Sequence, residues 1–243
     1  MSNETGPVPT IAIYKLASCS GCQAQLANLD SQLLTLLELV NVGQFLLVEA
    51  AVAEPPYDVG LVEGAVAGAH TEQLIKRARE ECSMLVALGS CAATGGILRQ
   101  RHSYNSAVNE TAAETKSILP RPIHDFVEVD ACVPGCPAEL GDLNRVLYAV
   151  LNGLRPDLPA HSVCQECLFD ENECVLRQRG YACLGTITRG GCNARCPRAG
   201  QPCWGCRGLL PGANEDAWRI ELAEQPELDR RKFYDVSAEE ALR

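Results

Sequence analysis

Eight of the fourteen cysteines in this 243-residue chain fall between Cys164 and Cys206, in "CQECLFDENECVLRQRGYAC" and "GCNARCPRAGQPCWGCRG". Few large apolar residues accompany them, chiefly Leu168, Val175, Leu176, Leu184, Ile187 and Trp204. Fixing each backbone residue costs about 1–2 kcal/mol, more than this side-chain set can offset by burial. Metal–thiolate bonds can supply the difference, as they do in small metallodomains. Eight thiols make two sets of four, and four thiolates are the ligand set of a [4Fe–4S] cluster or of structural zinc. The pairs Cys164/Cys167 and Cys203/Cys206 alone suit a zinc ribbon, but the irregular spacings between them do not follow a knuckle pattern. His161, three residues before Cys164, could also pair as a ligand; the simpler partition uses all eight thiols and leaves His161 at the surface or beside a cluster.

A further four cysteines are scattered through the first half. Cys19 and Cys22 form C-x2-C after the apolar run "TIAIYKL"; Cys91 lies in "GSCAATGG" and Cys136 in "PGCP". Each follows a stretch that reads as a strand, so all four fall at the carboxyl ends of strands, where open α/β sheets place their ligands. Glycines at 21, 89, 95, 96 and 135 let backbone approach such a site closely. Glu63, in "LVEGAV", lies near a strand end on the same edge, where it could relay protons or tune a cluster, or be a solvated loop charge. Cys91 and Cys136 could instead be small buried thiols; that reading suits Cys82 and Cys132 better, since both fall inside strands. Three cluster sites in one chain make an electron relay, whereas two zincs would leave the first group unexplained.

The elements that must position these thiols come from hydrophobic periodicity. Strands are expected at Thr10–Leu16, Phe45–Val52, Tyr57–Val66, Ser83–Gly89 and Asp125–Val133. Helices are expected over Leu26, Leu29, Leu33, Leu36 and Val40, over Thr71–Glu81, and from Pro137 to about Leu154. Alternating strands and helices with near-continuous apolar strands imply a parallel sheet covered on both faces. The expected fold is therefore α/β: a flavodoxin-like doubly wound parallel sheet over residues 1–155, carrying the first cysteine group. An irregular cysteine-rich iron–sulfur domain with two clusters follows over 156–210, beyond the proline-marked boundary at Pro156 and Pro159. Residues 211–243 form an acidic tail with a short helix near Glu215–Leu222.

The net charge of −10 argues against nucleic acid and anionic membranes as partners. No apolar stretch approaches the ~20 residues that span a bilayer, and "MSNETGPVPT" lacks the features of a signal peptide. A cytoplasmic protein is expected, and in a reducing compartment thiols serve metals or redox chemistry rather than disulfides.

"SCSGCQAQL", "VEGAV", "GSCAATGG" and "VPGCPAELGDL" resemble the proximal-cluster motifs of the small subunits of [NiFe] hydrogenases. "VCQECLFDENECVL", "YACLGTITRGGCNARCP" and "PCWGCRG" resemble the two-cluster region of the cytoplasmic members, most of all the delta subunit of the NADP-linked sulfhydrogenase type. The likeness covers roughly residues 10–210. A quinone-reductase subunit of respiratory complex I shares part of the first motifs, but has adjacent paired cysteines in place of C-x2-C and lacks the eight-cysteine region.

The resemblance implies three [4Fe–4S] clusters. The proximal one would sit on Cys19, Cys22, Cys91 and Cys136, the distal one on Cys164, Cys167, Cys174 and Cys183, and the medial one on Cys192, Cys196, Cys203 and Cys206. It places the nickel–iron centre in a large-subunit partner, and flavin and NAD(P) in partner reductase subunits. Two other readings stay open: the same relay serving a coenzyme F420- or viologen-reducing, heterodisulfide-linked hydrogenase, and a zinc-stabilised interaction module without redox activity.

Overall fold

The computed structural model describes residues 8–27, 41–45, 50–51, 54–97, 99 and 119–223. These fall into two compact units, dividing between Asp157 and Leu158, with Gly96, Ile97, Arg99 and Leu119 also belonging to the second unit.

The first unit is built on a six-stranded sheet. Its strands are β1 (Thr10–Lys15), β2 (Asn41–Phe45), β3 (Ala50–Ala51), β4 (Tyr57–Glu63), β5 (Cys82–Leu88) and β6 (Ala131–Val133), in the order β3-β2-β1-β4-β5-β6. Only β3 runs antiparallel. The other five are parallel, in the flavodoxin-like order with its switch point between β1 and β4. Consecutive residues of a strand point to opposite faces. Ile11 to Tyr14 and Leu85 to Leu88 are buried without a break, so both faces of the central strands are covered, as an all-parallel sheet requires. The helices here are α1 (Gly21–Ala27), α2 (Ala69–Glu81), α3 (Gly89–Thr94) and α4 (Leu140–Leu151).

The strand expected over Tyr57–Val66 ends at Glu63, and three further boundaries differ from the sequence reading. Phe45–Val52 is not one strand: β2 occupies Asn41–Phe45 and pairs with β1, and Ala50–Ala51 returns antiparallel. The segment "NVGQF" has little strand character, and Gly43 is there for space. A Cβ at 43 would lie 2.6 Å from the Tyr57 ring and 2.8 Å from Thr10 Cγ2. Asp125–Val133 shortens to Ala131–Val133, with Ile123–Asp125 in a 3-10 turn. The intervening Asp130 is held by its own bonds, its N–H donating to Leu85 O and its carboxylate accepting from Leu85 N–H and Arg79. The helix expected from Pro137 begins at Leu140, because Ala138 is used in a bridge with Gly135. The expected helix positions Leu29, Leu33, Leu36 and Val40 lie outside the described residues.

Among the described residues, the elements of the second unit are short: α5 (Val163–Phe169), α6 (Val175–Arg179), a 3-10 turn at Leu184–Thr186, α7 (Arg195–Arg198) and α8 (Glu215–Ala223). Its small core is Val163, Leu184, Ile187, Ala194 and Cys203, with Cys167, Cys183, Cys192, Leu209, Ala213 and Trp218 packed against it. The tail helix expected near Glu215–Leu222 is α8, and residues 224–243 of the tail lie outside the described ones.

Candidate functional site

The carboxyl edge of the first sheet gathers its cysteines from three connections. Cys19 and Cys22 follow β1 and flank the start of α1, Cys91 lies in α3 directly after β5, and Cys136 follows β6. Burial pushes the Cys22 thiol up to about 12, helped by Glu63, Cys136 and Cys91 and opposed by the Ala138 N–H. Burial likewise pushes Cys91 up to about 11, with Cys136, Cys19 and Glu63 adding to it. Cys136 and Cys91 thus act on Cys22, and Cys136 and Cys19 on Cys91, while Cys19 and Cys136 are the two of the four that reach the surface. The Ala138 N–H donates to Cys22 Sγ at 3.5 Å.

Backbone and carboxylate complete this edge. A Cβ on Gly89 would stand 2.4 Å from Cys22 Sγ, and its φ of +81° belongs to the left-handed region. Glu63, the last residue of β4, is 1% exposed, so it is no solvated loop charge. Its Oε1 accepts the N–H of Cys22 at 3.1 Å and its Oε2 that of Gln23 at 3.3 Å. The carboxylate thereby fixes the first turn of α1, where two N–H groups have no helical partner.

Sequence reasoning passed over Gln23. It is fully buried, and neither its amide nitrogen nor its oxygen has a hydrogen-bond partner. A buried amide left unpaired costs about 1–3 kcal/mol. A polar amide awaiting a partner beside Cys22, four thiols at one strand edge and a glycine with no room for a side chain all fit a thiolate-bound group at this place.

In the second unit, Cys164 and Cys167 lie on α5, Cys174 caps α6 and Cys183 precedes the 3-10 turn. Burial raises the Cys167 thiol first, then Cys164, Cys183 and Cys174. Burial also raises Cys183, against N–H groups of Gly185 and Cys203, with Cys164 and Cys174 adding to it. Each of these four thus lies within electrostatic reach of the other three. Cys203, deeply buried, is raised well above the ordinary value by burial and then by Cys183 and Cys206. Cys192 is raised by burial against N–H bonds from Arg195 and Ala194; Cys196 is raised by burial against Arg195 and a hydrogen bond to the Trp204 side chain. Among the described residues no three or more His, Cys, Asp and Glu side chains are gathered closely enough to hold a single metal ion.

Capping fixes the start of α5. The Ser162 hydroxyl accepts the Gln165 N–H at 3.2 Å, and the Gln165 side chain accepts the Ser162 N–H at 2.9 Å, a reciprocal capping box. His161, at the surface, pairs with Glu166 at 2.9 Å. Burial alone would push the Glu166 carboxyl up; bonds from Gly191 N–H, His161 and Ala194 N–H outweigh it and hold it below the usual carboxylate range. Trp218, on α8, donates its indole N–H to Cys183 O at 3.3 Å. Nothing in the acidic tail's composition points to that contact.

No helix among the described residues is long and apolar enough to cross a membrane. Residues 19–150 match the family model of the NADH ubiquinone oxidoreductase 20 kDa subunit. The chain is 34% identical to the delta subunit of sulfhydrogenase 2 from Pyrococcus furiosus, over 82% of this chain and 85% of that one. It is 35% identical to a subunit of the vhu F420-non-reducing hydrogenase of Methanocaldococcus jannaschii, over 82% and 81% of the two chains. In a solved structure of an NAD+-reducing [NiFe]-hydrogenase in the H2-reduced state, one chain is 28% identical. It aligns with a TM-score of 0.52 over 62% of this chain and 95% of that one. With the parallel sheet, the strand-edge cysteines and these likenesses in hand, the chain belongs to the family of the NADH ubiquinone oxidoreductase 20 kDa subunit, as an oxidoreductase subunit of the hydrogenase small-subunit type.

Proposed function

We propose that this chain is the electron-transfer subunit of a cytoplasmic [NiFe] hydrogenase, holding three [4Fe–4S] clusters. The proximal set would be Cys19, Cys22, Cys91 and Cys136, the distal set Cys164, Cys167, Cys174 and Cys183, and the medial set Cys192, Cys196, Cys203 and Cys206. When bound, these clusters supply one-electron relay between a nickel–iron centre in a partner large subunit and a flavin-bearing reductase subunit that uses NAD(P). The chain's own residues hold and insulate them. Glu63 orients the helix start that carries Cys22, the Ala138 N–H lies against the Cys22 sulfur, and the Ser162 cap sets the turn that carries Cys164.

The observation that supports the reading is that Cys19, Cys22, Cys91 and Cys136 follow three separate strands at the same edge of one parallel sheet, beside the buried Glu63. The relative named as an F420-non-reducing hydrogenase subunit favours a second reading of the acceptor, a viologen-reducing or heterodisulfide-linked system, with the same clusters. Anaerobic purification of the native complex tests both. Iron and sulfide of about twelve each per copy of this chain are expected, with a nickel-bearing large subunit alongside. Dihydrogen-dependent reduction of NAD(P) supports the first acceptor, and reduction of viologen without NAD(P) the second. Colourless protein carrying two or three zincs overturns the proposal.

A further inference from the structure

Glu166 lies between Cys164 and Cys167 on α5, yet its carboxylate is spent on a different stretch of chain. Its side chain is only 10% exposed. One oxygen accepts the Gly191 N–H and meets His161 Nε2 at 2.9 Å. The other accepts the Ala194 N–H at 3.0 Å and lies 3.8 Å from Cys192 Sγ. Four partners on one carboxylate is more than placement near a helix N-terminus explains, since that requires only the charge.

The segment it grips needs an external hold. Gly191 has φ of +109°, and Asn193 and Ala194 follow at +53° and +46°. Non-glycine residues in the left-handed region cost about 1–3 kcal/mol each and persist only where surrounding contacts over-determine them. From another side, Arg207, 1% exposed, donates its Nε–H to Gly190 O at 2.6 Å. Gly190 has no room for a side chain, since a Cβ there would fall 2.4 Å from the His161 ring and 2.9 Å from Glu166 Oε1.

We infer that Glu166 is a positioning residue: it fastens the Gly190–Ala194 segment to the helix bearing Cys164 and Cys167, and its charge lowers the reduction potential of the cluster that Cys192 would help to hold. The inference rests on the ligand sets proposed above. A thiolate bound to iron cannot donate to a carboxylate, so in the loaded protein the Glu166–Cys192 approach sets two negative charges side by side. Net charge around a cluster is one of the determinants of its potential, and an added negative charge favours the oxidised form.

The test uses the full complex, purified anaerobically with wild-type chain, Glu166→Gln or Glu166→Ala. Iron content is measured, and each cluster's midpoint is read by redox titration with electron paramagnetic resonance. Glu166→Gln keeps one acceptor oxygen, for the Gly191 or the Ala194 N–H, and removes the charge. It is expected to hold about twelve irons, with one midpoint shifted upward and two unmoved. Glu166→Ala removes both and is expected to lose about four irons with two cluster signals intact. Should the alanine variant not fold, the glutamine variant decides. Variants with full iron and three unmoved midpoints overturn the inference alone, as does the loss of two clusters together; wild-type complex without iron overturns the proposed function as well.

Discussion

The backbone N–H of Cys203 donates to the sulfur of Cys183 at 3.3 Å, and the N–H of Leu184 returns to the carbonyl of Cys203 at 2.9 Å. One thiol of each proposed set in the second unit is thus tied to the other through main chain. Cys203→Ala retains this N–H, so it should remove the cluster on its own set, about four irons, and leave the one on Cys183. Cys183→Ala should remove the other. Iron analysis with electron paramagnetic resonance of each variant checks the partition, and the same signal vanishing from both would refute it.

Glu63 satisfies two N–H groups that α1 cannot satisfy itself. Glu63→Ala orphans both in a buried place, at about 1–3 kcal/mol for each donor. Urea unfolding of the anaerobic chain should register the loss. Glu63→Gln, which keeps an acceptor but no charge, should cost less and should raise the potential of the cluster held by Cys22.

Gly89 tolerates no methyl group. Gly89→Ala sets a Cβ 2.4 Å from Cys22 Sγ at a φ of +81°, with backbone strain of about 1–3 kcal/mol before the clash is counted. The expected outcome is a chain that loses about four irons while the signals of the second unit persist.

Ser162→Ala removes one half of the capping box that starts α5. A cost of about 0.5–2 kcal/mol is expected, visible as a lower midpoint in urea. Ser162→Asp should recover most of it, since an aspartate side chain accepts the same N–H.

Tyr14 and Cys82 predict an alkaline weakness. Burial pushes the Tyr14 hydroxyl above its ordinary 10.0, aided by Glu81 and Cys82. Burial also pushes the Cys82 thiol above its ordinary 9.0, against its hydrogen bond with Tyr14. Both groups keep their protons in the fold and lose them in the unfolded chain. Their contribution to stability is therefore intact below about pH 9 and declines as pH rises, by about 1.4 kcal/mol per pH unit for each group once its unfolded form ionises. Tyr14→Phe with Cys82→Ala should flatten the fall of stability between pH 9 and 11; an unchanged slope would show that neither group titrates on unfolding.

The parallel sheet was legible because its central strands, such as "TIAIYK" and "SMLVAL", are apolar without interruption, the mark of burial on both faces. β2 was not, since Asn41, Gly43 and Gln44 carry no such signal and the glycine answers to the Tyr57 ring, a neighbour distant in sequence. The strand-edge positions of Cys19, Cys91 and Cys136 followed from the strands alone. Partners did not. Glu166 reads as a solvated helix charge until the loop it binds is seen, and Gln23 and Trp218 reveal their roles only through burial. The strand expected at Asp125–Val133 was overextended because Phe126, Val127 and Val129 pack on the core from non-strand backbone.

Trp218 emerges from the ribosome after every cysteine has, yet its indole packs over the carbonyl of Cys183 and the neighbouring apolar residues. The order of synthesis thus leaves an interval in which the thiols are already present and this wrapping is not. A chain that stops short of α8 therefore leaves the Cys183 carbonyl and the apolar residues under Trp218 uncovered.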